Sequence, residues 1–420
     1  MKKLGFLFIV LSFSIIFSAC PPLEEDDLDG LYSGTIITFD EPFELDVYKW
    51  FEILDNIAKE RKYVSLDLSK GTFKVGNTAG GLIEDTAGKI AFDPFPAASS
   101  GKNFIIKITL PVSTQVINQA VDDSDISAVP NEEFIEDTKK LSAFRSFTKL
   151  RSVKADNVTL IGNFAFAGCT ELREVIFPRV GHNVSDTETI DDSKSSTYCR
   201  DIGKYAFLGC TELKEVKFNS AAVIAEYAFK DCTNLSKIDF PEVWIIERNA
   251  FESCESLVNV FFEKTSKIGE EAFKNCTGLK KAEFNVAPED RAPVGSPLTG
   301  TPCDYDSVIF YTSAFNGCKA FEVLNVRRAW NVYFLDNVLA NTGTSVKINL
   351  FDEPSGSGLS HGHPQNKKFL GDGITLSLKE VNILVPGDGY KIRESSPDNI
   401  ANYIWINYTN PIVKINVNRE

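Results

Sequence analysis

The sequence predicts an α/β solenoid of 22-residue units, each a strand plus a short helical turn. Three observations predict it. Cys210, Cys232, Cys254 and Cys276 follow one another at steps of 22 residues. The surrounding residues recur with them, as Ile202-Gly203-Lys204-Tyr205-Ala206-Phe207, then Cys210, Leu213, Val216 and Phe218, and again around Ala228-Phe229, Ala250-Phe251 and Ala272-Phe273. Within a unit, Val216 and Phe218 alternate with Glu215 and Lys217, which is the period of a half-buried strand. A fixed period in the 20s marks stacked repeats, each covering its neighbours.

The chain begins with an export pattern. Met1-Lys2-Lys3 is basic, and Leu4 to Phe17 is an apolar run of 14 residues, too short to span a bilayer as a helix. Residues 1–19 therefore read as a signal peptide, ending in Phe17-Ser18-Ala19 before Cys20. The small-small-Cys ending resembles a bacterial lipobox, with Phe17 where the pattern prefers Leu; it implies cleavage before Cys20 and diacylglycerol on its sulfur. An ordinary signal peptide with a chance cysteine is the bland alternative. Residues 20–30 hold five acids in the six positions Glu24 to Asp29, so mutual repulsion makes them a solvated tether.

Residues 31–130 are expected to cap the stack. Phe43, Val47, Trp50, Leu54 and Ile57 recur at three and four residues, as on one face of an amphipathic helix of about five turns. Tyr63 to Leu68 and Phe104 to Leu110 read as strands, with Gly-, Ala- and Pro-rich loops between them.

The repeats occupy residues 131–352. Ala143-Phe144 opens a unit with Phe147 in the cysteine place, 22 residues before Cys169. Cys169 to Cys210 and Cys276 to Cys318 are 41 and 42 residues, so two links carry insertions, near 182–200 and 286–306. A worn last unit fits Val338-Leu339 through Leu350. Residues 353–420 open on a Gly/Ser/His linker and continue in alternating runs such as Val381-Ile383-Val385 and Ile415-Val417. They read as a C-terminal β cap or appended β module.

The template Ile-Gly-x-x-Ala-Phe-x-x-Cys-x-x-Leu-x-x-Val-x-Phe resembles the BspA-type leucine-rich repeat of bacterial surface proteins, over about Leu141 to Val326. The resemblance implies an extracellular curved solenoid, and some members are described as adhesins for host matrix or other bacteria. The implied location is the bacterial envelope, lipid-anchored at the outer-membrane surface. The implied partner is a host or bacterial surface protein, and the chain itself is expected to be a monomer.

Composition narrows the chemistry. The formal net charge of −14, with no basic stripe, argues against nucleic acid. No nucleophile elbow, phosphate loop or His-Glu-x-x-His occurs, so no catalytic residue and no cofactor is expected and the chain is read as a non-enzyme. The ladder of Cys169, Cys210, Cys232, Cys254, Cys276 and Cys318 has the wrong spacing for zinc. Disulfides between stacked units are conceivable, but in-register neighbours hold their Cβ atoms about 5 Å apart where a bridge prefers about 3.8 Å. Phe147 in the same place favours buried thiols. Cys199 and Cys303, one in each insertion, form the remaining candidate pair. His361-Gly362-His363 with His182, and the acids Asp186 to Asp192, fit polar loops better than metal sites. The candidate protein-binding face is the outward file Ile176, Lys217, Asp239, Phe261, Glu283 and Asn325. A structural envelope scaffold without a ligand, and an enzyme in the C-terminal module, are the other readings.

Overall fold

The computed structural model describes residues 35–73, 83–86, 89–92, 100–117, 144, 147–181, 201–285, 307–327, 331–334, 337–343, 345–351, 380–385, 391–393, 403–405 and 414–419. The signal, Cys20, the tether, both insertions, Cys199, Cys303 and all three histidines lie outside them.

The molecule is a solenoid of stacked coils whose strands pair in parallel, apart from the antiparallel pair Ile83–Thr86 and Lys89–Phe92. Each coil has three sides. The first is the strand read from sequence, such as Glu215–Lys217 or Asn259–Phe262. These strands stack in register, with Phe261 opposite Glu283 and Glu283 opposite Asn325. The second side is a two-residue strand, Val223–Ile224, Ile245–Ile246 and Lys267–Ile268 in successive units. Ile202, the first residue of the template, bridges Ile161 and Ile224 in this second sheet.

The third side corrects the expected helical turn. Each unit here holds two residues at positive φ, five and one before the cysteine place: Tyr205 (58°) and Gly209 (68°), Tyr227 (60°) and Asp231 (60°), Asn249 (53°) and Ser253 (61°). A left-handed residue every fourth position cannot propagate a right-handed helix. The chain instead makes successive tight turns, with Ala206 N–H donating to Gly203 O and Cys210 N–H to Phe207 O. This conformation aims alternate N–H groups at the next unit. Tyr205, Phe207 and Gly209 donate to the carbonyls of Glu226, Ala228 and Lys230 at 3.1, 2.8 and 2.9 Å. The turned side therefore carries its own ladder of backbone hydrogen bonds, satisfying groups that burial would otherwise orphan.

Two glycines separate conformational need from steric need. An added Cβ at Gly209 meets nothing within 4 Å, so only its φ opposes substitution; at Gly181 (φ +84°) it would lie 2.0 Å from Ser220 O. Gly209→Ala is expected to cost about 1 kcal/mol, since left-handed strain is partly offset by a stiffer unfolded chain. Gly181→Ala is expected to cost more than twice that, because backbone must move. Denaturant midpoints of the two variants check the order.

Inside the coils the phenylalanines stack. Phe144, Phe166, Phe207, Phe229, Phe251, Phe273 and Phe315 form one file with centroids 4.8–5.5 Å apart and planes within 17°. All seven are fully buried. Phe147 takes the cysteine place and is buried. The worn unit is real at the backbone: Asn337 and Asn341 occupy the two left-handed positions, and Thr342 stands in the cysteine place.

The sheet extends past the expected ends of the repeats. Thr35–Ile37, Val64–Asp67 and Ile105–Thr109 pair in parallel into the same sheet as Ser152–Lys154 and Glu174–Ile176. At the other end, Glu380–Val385 and Lys414–Arg419 extend a separately hydrogen-bonded sheet on the same side of the coils beyond Ser345–Phe351. The N-terminal helix α1 spans Val47–Glu60, shorter than expected, because Phe43 belongs to a strand (Phe43–Leu45) and Asp46 caps the helix by accepting from Lys49 N–H at 2.8 Å. Its apolar face, with Trp50, Leu54 and Ile57, joins the main core that runs through the repeats.

Candidate functional site

The ladder cysteines are free and buried. Burial pushes the Cys210, Cys232, Cys254 and Cys318 thiols well above the ordinary range. As neutral thiols they donate. Cys232, Cys254, Cys276 and Cys318 Sγ lie 3.0–3.1 Å from the carbonyls of Phe207, Phe229, Phe251 and Phe273 in the preceding unit. The ladder is thus a hydrogen-bonded spine rather than a reactive centre. Thiol labelling checks it: the six should resist reagent in the native chain and all label in denaturant without reductant. Fewer than six after denaturation would mean disulfides.

The face predicted for recognition divides into three parts. Lys217 pairs with Asp239 at 2.9 Å, and Lys237 pairs with Glu215 across the same two strands. The strip carries four charges and no net charge. Beside it stand Phe261 and Val258, 47% and 42% exposed, against fully buried neighbours Phe262 and Leu257. Ile176, 40% exposed, lies on a separate hydrogen-bonded segment of the sheet.

Beyond Phe261 the file turns inward, a correction to the expected exposed face. Asn325 is only 6% exposed. It donates to Glu283 at 3.0 Å and accepts from Asn349 at 2.8 Å. Glu283 also holds Lys281 at 2.9 Å and Arg327 at 3.0 Å. Burial disfavours its charge, yet the bonds from Asn325, Lys281 and Arg327 prevail and hold its carboxyl down at about 2. Glu283 and Asn325 therefore brace the sheet, and the surface open to a partner is Lys217, Asp239, Phe261 and Ile176, with Val258 added. Nothing local in the sequence marked Asn325 as buried, because its partners come from units 24 and 42 residues away.

The bracing has a pH signature. A carboxyl depressed in the folded chain contributes stability that is present above its unfolded value, near 4.3, and lost as pH falls through its folded one. Glu283 and Glu271 are both lowered, the latter against burial by Asn249 and Lys274; Asp231, raised by burial, acts oppositely. Melting temperature should fall between about pH 4.3 and pH 2, with a shallower slope in Glu283→Gln.

Among the described residues no group of three His, Cys, Asp or Glu side chains could hold a metal, and no helix is long and apolar enough to cross a membrane.

A family model described as a BspA type leucine rich repeat region matches residues 139–188 and 185–289, in six copies. No curated protein matches the chain. Among solved structures, a T. pallidum leucine-rich repeat protein is 23% identical, with 46% of this chain and 64% of that one covered at a TM-score of 0.26. A leucine-rich repeat protein of Bacteroides ovatus is 21% identical over 54% of this chain and 56% of that one, also at 0.26. This chain thus spans less than two thirds of either. A leucine rich cell surface protein of Faecalibacterium prausnitzii is 17% identical, covering 64% of this chain and 79% of that one at 0.25.

Proposed function

We propose, from a chain whose residues 139–289 are a BspA-type leucine-rich repeat region, that it is a bacterial cell-surface lipoprotein whose solenoid binds a protein partner, as an adhesin does. The observation that carries this reading is Phe261. A phenylalanine half in water, three residues from a second exposed apolar residue and next in the stack to a strip of mutually neutralised charges, is the composition of an interface centre. The flanking pairs contribute little to stability, since exposed ion pairs are worth about 0–1 kcal/mol. They would exclude water around an inserted partner side chain. Export and attachment rest on the signal pattern and Cys20; the partner is a host or bacterial surface protein.

The test is adhesion of the full chain, displayed on cells, to immobilised extracellular-matrix proteins and to other bacteria. Phe261→Asp should reduce binding at least tenfold while leaving melting temperature within a degree or two, because Phe261 is 47% exposed and not part of the buried core. Equal binding by both forms would remove this face from the reading. No binding by either would favour the scaffold.

A further inference from the structure

We infer that copies of this chain associate head to tail through the two ends of the first sheet. Every strand pair in that sheet is parallel. At one end Lys414–Arg419 pairs along its whole length with Glu380–Val385, and among the described residues no strand lies on its other side. At the opposite end Thr35–Ile37 pairs with Val64–Leu66 and likewise borders no other described strand. In a parallel sheet each strand offers the same pattern of donors and acceptors on its outer side. The first strand of one copy is therefore the strand that the last strand of another would accept, in the polarity the sheet already has.

Charge selects this arrangement over the symmetric ones. Two copies of Lys414-Ile415-Asn416-Val417-Asn418-Arg419 paired edge to edge about a two-fold axis would run antiparallel and bring four bases and no acid together on the two joined strands. Two N-terminal ends repel as well. Between Cys20 and Tyr48 the sequence has nine acids and no Lys or Arg, and Asp40, Glu41 and Glu44 are exposed beside the first strand. The outermost C-terminal strands of the two sheets, Lys391–Arg393 and Lys414–Arg419, carry four bases and no acid, and residues 367–420 as a whole are near neutral, with seven bases and six acids. Only the unlike ends attract. Such a contact is heterologous and does not close on itself, so it builds chains of molecules rather than a dimer. This departs from the monomer expected from sequence and is independent of any partner at Phe261.

The alternative role for Lys414 and Arg419 is protection, since basic residues on an edge strand discourage pairing. Sedimentation velocity of the full chain in nonionic detergent separates the two. At about 50 mM salt a species larger than one chain should grow with protein concentration, and at about 500 mM, where charges are screened within a few ångströms, it should dissociate. Lys414→Glu with Arg419→Glu should weaken association at least fivefold, and adding Asp40→Lys with Glu41→Lys should restore it. A synthetic Lys-Ile-Asn-Val-Asn-Arg peptide should compete with association of the unaltered chain. A single size at every concentration in low salt, or association unaffected by both charge reversal and peptide, would overturn the inference.

Discussion

Phe229→Ala is expected to cut the solenoid's stability by about 3–5 kcal/mol, the range for emptying a phenylalanine-sized space in a core. Phe229 is fully buried and lies face to face with Phe207 at 5.0 Å and Phe251 at 5.3 Å. Its N–H bonds Ala250 O, and its carbonyl accepts both Cys232 N–H and the Cys254 thiol. Alanine keeps the backbone bonds, so the loss is volume and stacking alone. Whole domains are stable by only about 5–15 kcal/mol. A repeat array is a row of units coupled to nearest neighbours, so the damage should be local first. Limited proteolysis should cut near the Cys232 unit well below the global melting temperature. Phe229→Leu, which keeps most of the volume, should cost under about 1.5 kcal/mol. Equal destabilisation by the two variants would mean that the ladder does not carry the fold.

Cys20→Ala is expected to move the chain from the membrane fraction to the soluble one. No described helix could hold it there. Each buried acyl methylene contributes about 0.8 kcal/mol, so two or more chains on one cysteine retain a protein firmly, and nothing comparable stands among the described residues. The measurement is fractionation of cells producing each form, with mass spectrometry of the N-terminal peptide for the lipid. Retention of Cys20→Ala in the membrane fraction would contradict a lipid anchor.

Much of the fold could be read from residue order, for reasons that also explain what could not. The inner positions of a coil tolerate few residue types, so Phe, Cys and Leu recur at 22 residues and declare the register even where Phe147 or Thr342 replaces cysteine. The left-handed positions were hidden because their constraint is on backbone, not side chain. Glycine marks Gly168, Gly209 and Gly317, but Asp231, Ser253 and Asn275 fill the same place. The second strand was hidden because two residues are too short for alternation to show. Phe43 fitted the helical period by coincidence; Asp46 was the better signal, as a cap fixes where a helix starts. The N-terminal strands obey period two without the 22-residue template, so the sequence presents them as a separate cap although the sheet runs through them. On the candidate face, alternation told which residues point outward but not which are covered. Phe261 stays exposed, whereas Asn325 is sealed by Glu283 and Asn349.

Recognition through the first sheet is tested most directly by a hydrogen-exchange footprint of the chain with its bound surface partner. Protection on binding should centre on Asn259–Phe262 and reach Glu215–Lys217 and Lys237–Asp239, with the second sheet and the turned side unchanged. Protection confined to residues 182–200 or 286–306, or to the turned side around Tyr205 and Tyr227, would contradict it.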